Sequence, residues 1–340
     1  MSNSFSNAYA LLIGVGESII PKYSLPVTVK DTKALKTVLC DSQLCGYEEQ
    51  YVRLLHDKTA SKINMLDGLD WLKQCTEKDT DVTVVVFYSG HGWLEKDSQR
   101  YYLIQHDADP ENLENTALDA QLFTDKLRDI KAKRLLVIID ACHAQGMATS
   151  KEAELFKVPE QFEQVALPKD LVENLKQGAG RAVFTSSLGE QRSYIRKEQD
   201  LSVYTYHFLE ALKGAGNQPG DSYVRLSNLM RHLSQAVPKS AEAMSKEQTP
   251  FFDFTTEDFP VALLLGGKGL SGGGMSPLEE TAATTIFNQQ GQQVHGNQTN
   301  VAGDMTVQGD LVNSDKIVQN ITGNGNIFSG TGNVRVDKKE

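Results

Sequence analysis

Two stretches decide the fold: Val84-Val85-Val86-Phe87-Tyr88-Ser89-Gly90-His91-Gly92 and Arg134-Leu135-Leu136-Val137-Ile138-Ile139-Asp140-Ala141-Cys142-His143. Each is an unbroken apolar run that ends in polar, chemistry-bearing residues. Runs of this length suit strands buried on both faces, as in a parallel sheet covered by helices. Working outward, three further apolar runs occupy residues 9–15, 51–55 and 181–185. Helical patterns fall between them, at 32–39, 61–75 and 118–130, near 171–175, and later at 204–213 and 226–237. Strands alternating with helices predict an α/β domain with right-handed crossovers.

The 340 residues include 34 Lys and Arg against 44 Asp and Glu, a net charge of -10. An acidic chain is a poor match to a phosphate backbone, so nucleic-acid binding is disfavoured. No run of about 18 apolar residues exists, so no membrane span is expected. The start of the chain lacks the basic and apolar regions of a signal peptide, which points to the cytoplasm. The four cysteines, Cys40, Cys45, Cys75 and Cys142, form no CxxC pair and suit free thiols in a reducing compartment. Cys40 and Cys45 have no second pair to complete a structural zinc site, and no metal or cofactor is expected.

In open α/β sheets, sites form beyond the carboxyl ends of the strands. If the 84–88 and 134–140 strands are neighbours, His91 and Cys142 face one crevice. A thiolate there attacks a carbonyl carbon while the imidazole manages the leaving-group proton. Gly90 and Gly92 let the chain turn beside His91. The backbone N–H groups of Gly92 and Cys142 are candidates to hold an oxyanion. A lone Cys or His has bland readings, as a small core residue or a turn residue, but two strand ends each carrying the right type favour catalysis. His143, next to the nucleophile, points a different way out of its strand and is not expected to be the base.

The Phe87–Gly92 and Asp140–His143 motifs resemble the two active-site signatures of the caspase-like cysteine peptidases, nearest the metacaspase and orthocaspase branch. The opening Tyr9–Val15, Thr185-Ser186-Ser187 and the later helix with Tyr204, Phe208 and Leu209 resemble the same family. The resemblance covers roughly residues 5–265 and implies a three-layer sandwich with a mainly parallel central sheet. It also implies an acidic S1 pocket for Arg or Lys built from Asp140 and Asp31, where true caspases carry a Gln and arginines. Lys30 stands where the family usually has Asn, and a cation there would weaken such a pocket. Asp31 has a second reading as the N-cap of the helix that follows it. Ser187 and Glu190 are further candidates for substrate contact, with plain solvated loop residues as the alternative.

The resemblance makes the connection from 147 to 180 the place for maturation cleavage, with Lys151, Lys157, Lys169, Lys176 and Arg181 in or near it. The alternative is a surface excursion carrying one helix. Calcium activation fits the family, although no EF-hand-like loop exists in the chain.

Composition divides the chain into 1–265, which the resemblance implies is a caspase-like peptidase domain, a Gly-rich linker at 266–280 and an Asn/Gln/Gly-rich tail at 281–340. In the tail, Gly-Asn and Gly-Asp pairs separate β-prone pieces such as Met305–Val307, Ile317-Val318, Asn326–Phe328 and Val334–Val336. Disorder, a small β-solenoid, and self-assembly or partner docking are the three readings. The segment Ile317–Gly323 loosely resembles amyloid signalling motifs that recruit partners.

The reading is a cysteine endopeptidase acting on protein substrates after Arg or Lys, in microbial regulated cell death or defence. The alternatives are a catalytically silent caspase-like adaptor acting through its tail, and another thiol hydrolase or transpeptidase on the same scaffold.

Overall fold

The computed structural model describes residues 4–141, 143–144, 158–187, 189, 191–254, 256–266, 312–313, 316–320 and 327–330. The chain divides into two compact units, 1–275 and 276–340.

In the first unit, β1 (Ala8–Gly14) leads to α1 (Val27–Cys40), β2 (Val52–His56), α2 (Lys62–Lys78) and β3 (Thr83–Ser89). A single residue, Gly90, separates β3 from β4 (His91–Glu95), which is followed by β5 (Tyr101–Ile104), the one-turn helix α3 (Leu113–Thr116) and β6 (Leu118–Asp119). Then come α4 (Ala120–Asp129), β7 (Arg134–Asp140), β8 (His143–Ala144), β9 (Phe162–Gln164), α5 (Lys169–Leu175) and β10 (Arg181–Thr185). The remaining elements are β11 (Ser193–Tyr194), α6 (Val203–Leu212), β12 (Tyr223–Arg225), α7 (Leu226–Glu242), β13 (Phe251–Phe254) and β14 (Pro260–Leu263).

The central sheet has the order β13-β10-β7-β3-β1-β2, parallel throughout except for the antiparallel edge strand β13. All five predicted strands are in it. Strand side chains alternate between faces, and the two cores divide accordingly. Leu12, Val85, Phe87, Leu136, Ile138 and Phe184 pack with Leu35, Phe208, Leu229 and Leu233 of α1, α6 and α7. Leu11, Val84, Val86, Leu135, Val137 and Val183 pack with Leu69, Leu72, Phe123, Leu127 and Val172 of α2, α4 and α5. This is the helix-covered parallel sheet expected from the apolar runs, in the three-layer sandwich that the family resemblance implies.

A second sheet, β6-β5-β4-β9, was not foreseen. Its strands pair antiparallel over two to four residues, too short to stand out as apolar runs. A third small core holds it, with Tyr23, Trp93, Tyr102, Ile104 and Phe162 buried together.

In the second unit, residues Val312–Asn313, Lys316–Asn320 and Ile327–Gly330 form a three-stranded antiparallel sheet. The β-prone pieces at 305–307 and 334–336 lie outside the described residues. Among the described residues, no helix is long and apolar enough to cross a membrane.

Candidate active site

β3 and β7 are direct neighbours, with Ser89 opposite Asp140, so both motifs leave the same end of the sheet. His91 opens β4, and its imidazole is buried. Nε2 lies 3.0 Å from the carbonyl oxygen of Tyr23, an acceptor only, so Nε2 carries a proton and donates it. In the neutral ring that leaves the lone pair on Nδ1, making Nδ1 the basic nitrogen. The side-chain nitrogen of Gln164 lies 3.3 Å from Nδ1.

The local sequence explains how this imidazole is set. Tyr88, fully buried on β3, reaches the carbonyls of His91 at 2.7 Å and Ile104 at 3.1 Å with its hydroxyl. Burial pushes that phenol well up, so it stays a donor. Gly92 has no side chain because the Tyr101 ring crosses it: a Cβ there would stand 1.8 Å from the Tyr101 hydroxyl oxygen. Tyr101 in turn donates to the Val165 carbonyl at 3.0 Å, and β9 pairs with β4 with Gln164 opposite Trp93. Phe162, buried against Trp93 and Tyr102, anchors the same segment. Gln164 thus reaches His91 from a strand supplied by the 145–180 connection.

At the same end of the sheet, two carboxylates are completely buried. Asp31 sits on α1 and Asp140 ends β7. Ser202, the N-cap of α6, bridges them: its N–H donates to Asp31 Oδ1 at 2.9 Å and its hydroxyl to Asp140 Oδ2 at 2.8 Å. Ser193 Oγ donates to Asp140 Oδ1 at 2.7 Å, and Ser89 Oγ to Asp31 Oδ2 at 3.4 Å. Burial, and then the charge of Asp140, push the Asp31 carboxyl well above the usual carboxylate range. Two carboxylates in one dry place repel, and a Lys or Arg side chain would relieve both by charge-assisted hydrogen bonds.

Several expectations need correction. Asp31 is not a helix N-cap: α1 begins at Val27 behind Pro26, and Asp31 lies inside it. Lys30 does not face the carboxylates; it is exposed, and its ammonium donates to the Gln199 carbonyl at 2.9 Å. Ser187 is not a solvated loop residue but is buried, and its hydroxyl has no hydrogen-bond partner among the described residues. Arg181 is no exposed cleavage point: it is buried, with its guanidinium on the carbonyls of Leu127, Arg128 and Ile130. Lys176 is bound to Asp253 at 2.8 Å. Cys142 and Glu190 lie outside the described residues, as do Lys151 and Lys157. The backbone of His143 pairs with Ser193 in the short β8–β11 ladder.

The sequence reading missed Tyr23, Gln164, Ser193 and Ser202. Tyr23 acts through its backbone carbonyl, which no residue type can advertise. Ser202 carried a readable signal: a Ser directly before an apolar helical run is a helix cap. A groove of about 980 Å³ lies at the other end of β7 and β10, lined by Arg134, Arg181 and Arg225 among others. Each of these three guanidinium groups bonds to groups of the chain itself.

The family model described as the caspase domain matches residues 7–260. The chain belongs to the caspase-domain family. The solved structures it resembles include protein GSU0716 from Geobacter sulfurreducens, at 16% identity and TM-score 0.47, covering 78% of this chain and 99% of that one. Caspase-1 from Spodoptera frugiperda is similar at 20% identity and TM-score 0.45, covering 79% of this chain and 92% of that one. No curated protein sequence matches the chain. Membership places the protein in a class of cysteine peptidases, which act on protein substrates. His91 and the Asp31–Ser202–Asp140 cluster all lie within the caspase domain.

Proposed function

We propose that the chain is a cysteine endopeptidase that cleaves proteins after Arg or Lys. The observation that carries this reading is the pair of buried carboxylates, Asp31 and Asp140, joined through Ser202. Burying two carboxylates together is costly unless a cation joins them. A substrate Lys or Arg side chain supplies that cation through charge-assisted hydrogen bonds to both carboxylates.

In the proposed reaction, the Cys142 thiol gives its proton to His91 Nδ1, and the thiolate attacks the substrate carbonyl carbon. The N–H groups of Gly92 and Cys142 hold the resulting oxyanion. His91 then passes the proton to the leaving amine, the C–N bond breaks, and an acyl-enzyme remains for water to hydrolyse. The Tyr23 carbonyl keeps Nε2 as the donating nitrogen and stabilises the imidazolium that forms between the two transfers. Ser187 and Glu190 are proposed to contact the substrate beside this pocket. Calcium activation, a cytoplasmic location and partner docking or self-assembly through the 281–340 tail belong to the same reading.

The test is cleavage of matched peptides ending in Arg, Lys, Asp or Leu by wild type and Cys142→Ala, with and without calcium. Wild-type-only cleavage after Arg or Lys is expected. Cleavage after Asp or Leu would keep the peptidase and remove the acidic pocket. Absence of cleavage under every condition would favour the silent adaptor, and the tail would then carry the function.

A further inference from the structure

On the face of the domain where α6 meets α7, three side chains converge that the peptidase reading does not use. His207 and Glu210 stand one turn apart on α6, and His232 reaches them from α7. His207 Nδ1 lies 2.6 Å from Glu210 Oε2, and His232 Nε2 lies 2.9 Å from the same oxygen. One atom from each residue falls within 4.8 Å of the other two. The side chains are 10%, 18% and 19% exposed for His207, Glu210 and His232, so the cluster is mostly dry but still open at its edge.

We propose that His207, Glu210 and His232 bind a divalent transition-metal cation of the zinc class, clamping α6 to α7. Two imidazole nitrogens and one carboxylate oxygen are donors that zinc accepts, with a fourth position left for water or another ligand. The oxygen that both imidazoles approach belongs to a largely buried carboxylate, and no Lys or Arg is bonded to it among the described residues. A divalent cation compensates that carboxylate more fully than two imidazoles.

The surroundings fit a ligand set. The other nitrogen of His207, Nε2, lies 2.6 Å from Ser240 Oγ, which fixes the ring and leaves Nδ1 for the ion. Metal-bound histidines commonly have such a polar partner on the second nitrogen. In a tetrahedral site with bonds of about 2.0–2.1 Å, neighbouring ligand atoms stand roughly 3.3 Å apart. The two nitrogen-to-oxygen spacings need to open by less than about 1 Å, and the nitrogen-to-nitrogen spacing, within 4.8 Å, to close by at most about 1.5 Å, movements within reach of side-chain rotation. No sequence motif marks this cluster, because Glu210 and His232 are 22 positions apart and on different helices.

The test is cobalt(II) titration of the full-length chain carrying Cys142→Ala, which removes the active-site thiol as a competing ligand. We expect one equivalent to bind with a visible d–d spectrum and no thiolate charge-transfer band, to be displaced by zinc, and to raise the melting temperature. His232→Gln and Glu210→Gln should each weaken binding at least 100-fold, while His106→Gln should not change it. His232→Gln removes a single bond at a half-open position and is the variant least prone to misfold; its metal-free melting temperature is measured alongside. No stoichiometric binding, a thiolate band, or binding that a folded His232→Gln retains would each overturn the proposal.

Discussion

The side-chain amide nitrogen of Gln164 lies 3.3 Å from Nδ1 of His91. Nδ1 is the nitrogen that must accept a proton from the thiol in the proposed reaction, so the amide competes for its lone pair. Gln164 belongs to β9, which the 145–180 connection lays against β4. Gln164→Ala should therefore raise kcat/KM of the uncleaved chain by about fivefold, the equivalent of one net hydrogen bond of ~1 kcal/mol. Steady-state kinetics on chain shown to be intact by mass spectrometry checks this. A fall in kcat/KM would instead make Gln164 a group that positions the imidazole.

Gly92 is a packing requirement as well as an oxyanion candidate. A Cβ at this position would stand 1.8 Å from the hydroxyl oxygen of Tyr101, whose own bond holds the Val165 carbonyl. Gly92→Ala should cost roughly 1–3 kcal/mol, the usual range for overpacking a filled core. In urea, the unfolding midpoint should fall with an unchanged slope. Limited proteolysis should also cut more readily near residues 162–165, because Tyr101 can no longer pin that segment.

The five central strands were legible because a strand buried on both faces writes itself as an unbroken apolar run, as Leu135–Ile139 does. The start of α1 was not legible. Val27, Thr28 and Val29 are β-branched and poor helix formers, and packing against the sheet overrides that local preference. His91 was singled out by its strand-end motif, and Asp31 and Asp140 by the family resemblance. The Ser202 link between the two carboxylates was not, since Asp31 and Ser202 are 171 positions apart and only the fold brings them together. Gln164 was hidden for a related reason: it lies in a three-residue strand too short to show a periodicity.

The fold narrows where the chain can be cut during maturation. Arg181 is buried on three backbone carbonyls and Lys176 is tied to Asp253, whereas Lys169 is exposed at the start of α5. If wild type clips itself, its cuts should follow Lys151, Lys157 or Lys169 and never Lys176 or Arg181. Intact-mass analysis reads the sites directly. Cys142→Ala protein should remain whole in the same incubation; clipping of both proteins would mean a contaminating protease rather than self-processing.

Asp31 is the residue where substrate recognition and stability pull apart. Its carboxyl is pushed up in the folded protein by burial and then by Asp140, so the native state holds its proton more tightly than the unfolded chain does. Stability must then fall as pH rises from the ordinary carboxylate range, near 3.9, through the raised folded-state value. Asp31→Asn keeps an oxygen to accept the Ser202 N–H and carries no charge, so it escapes that loss. Its melting temperature should match wild type near pH 4 and exceed it by a margin that widens as pH rises, before levelling off above the native pKa. The same substitution removes one of the two charges proposed to bind Arg or Lys. Cleavage after those residues should drop by roughly 30-fold or more, the cost of truncating one partner of a buried charge pair at ~2 kcal/mol or above. Thermal melts across pH, paired with peptide kinetics, separate the two effects. A variant that is less stable than wild type at neutral pH would show that the Asp31 charge is already compensated inside the folded domain, and would count against the acidic pocket.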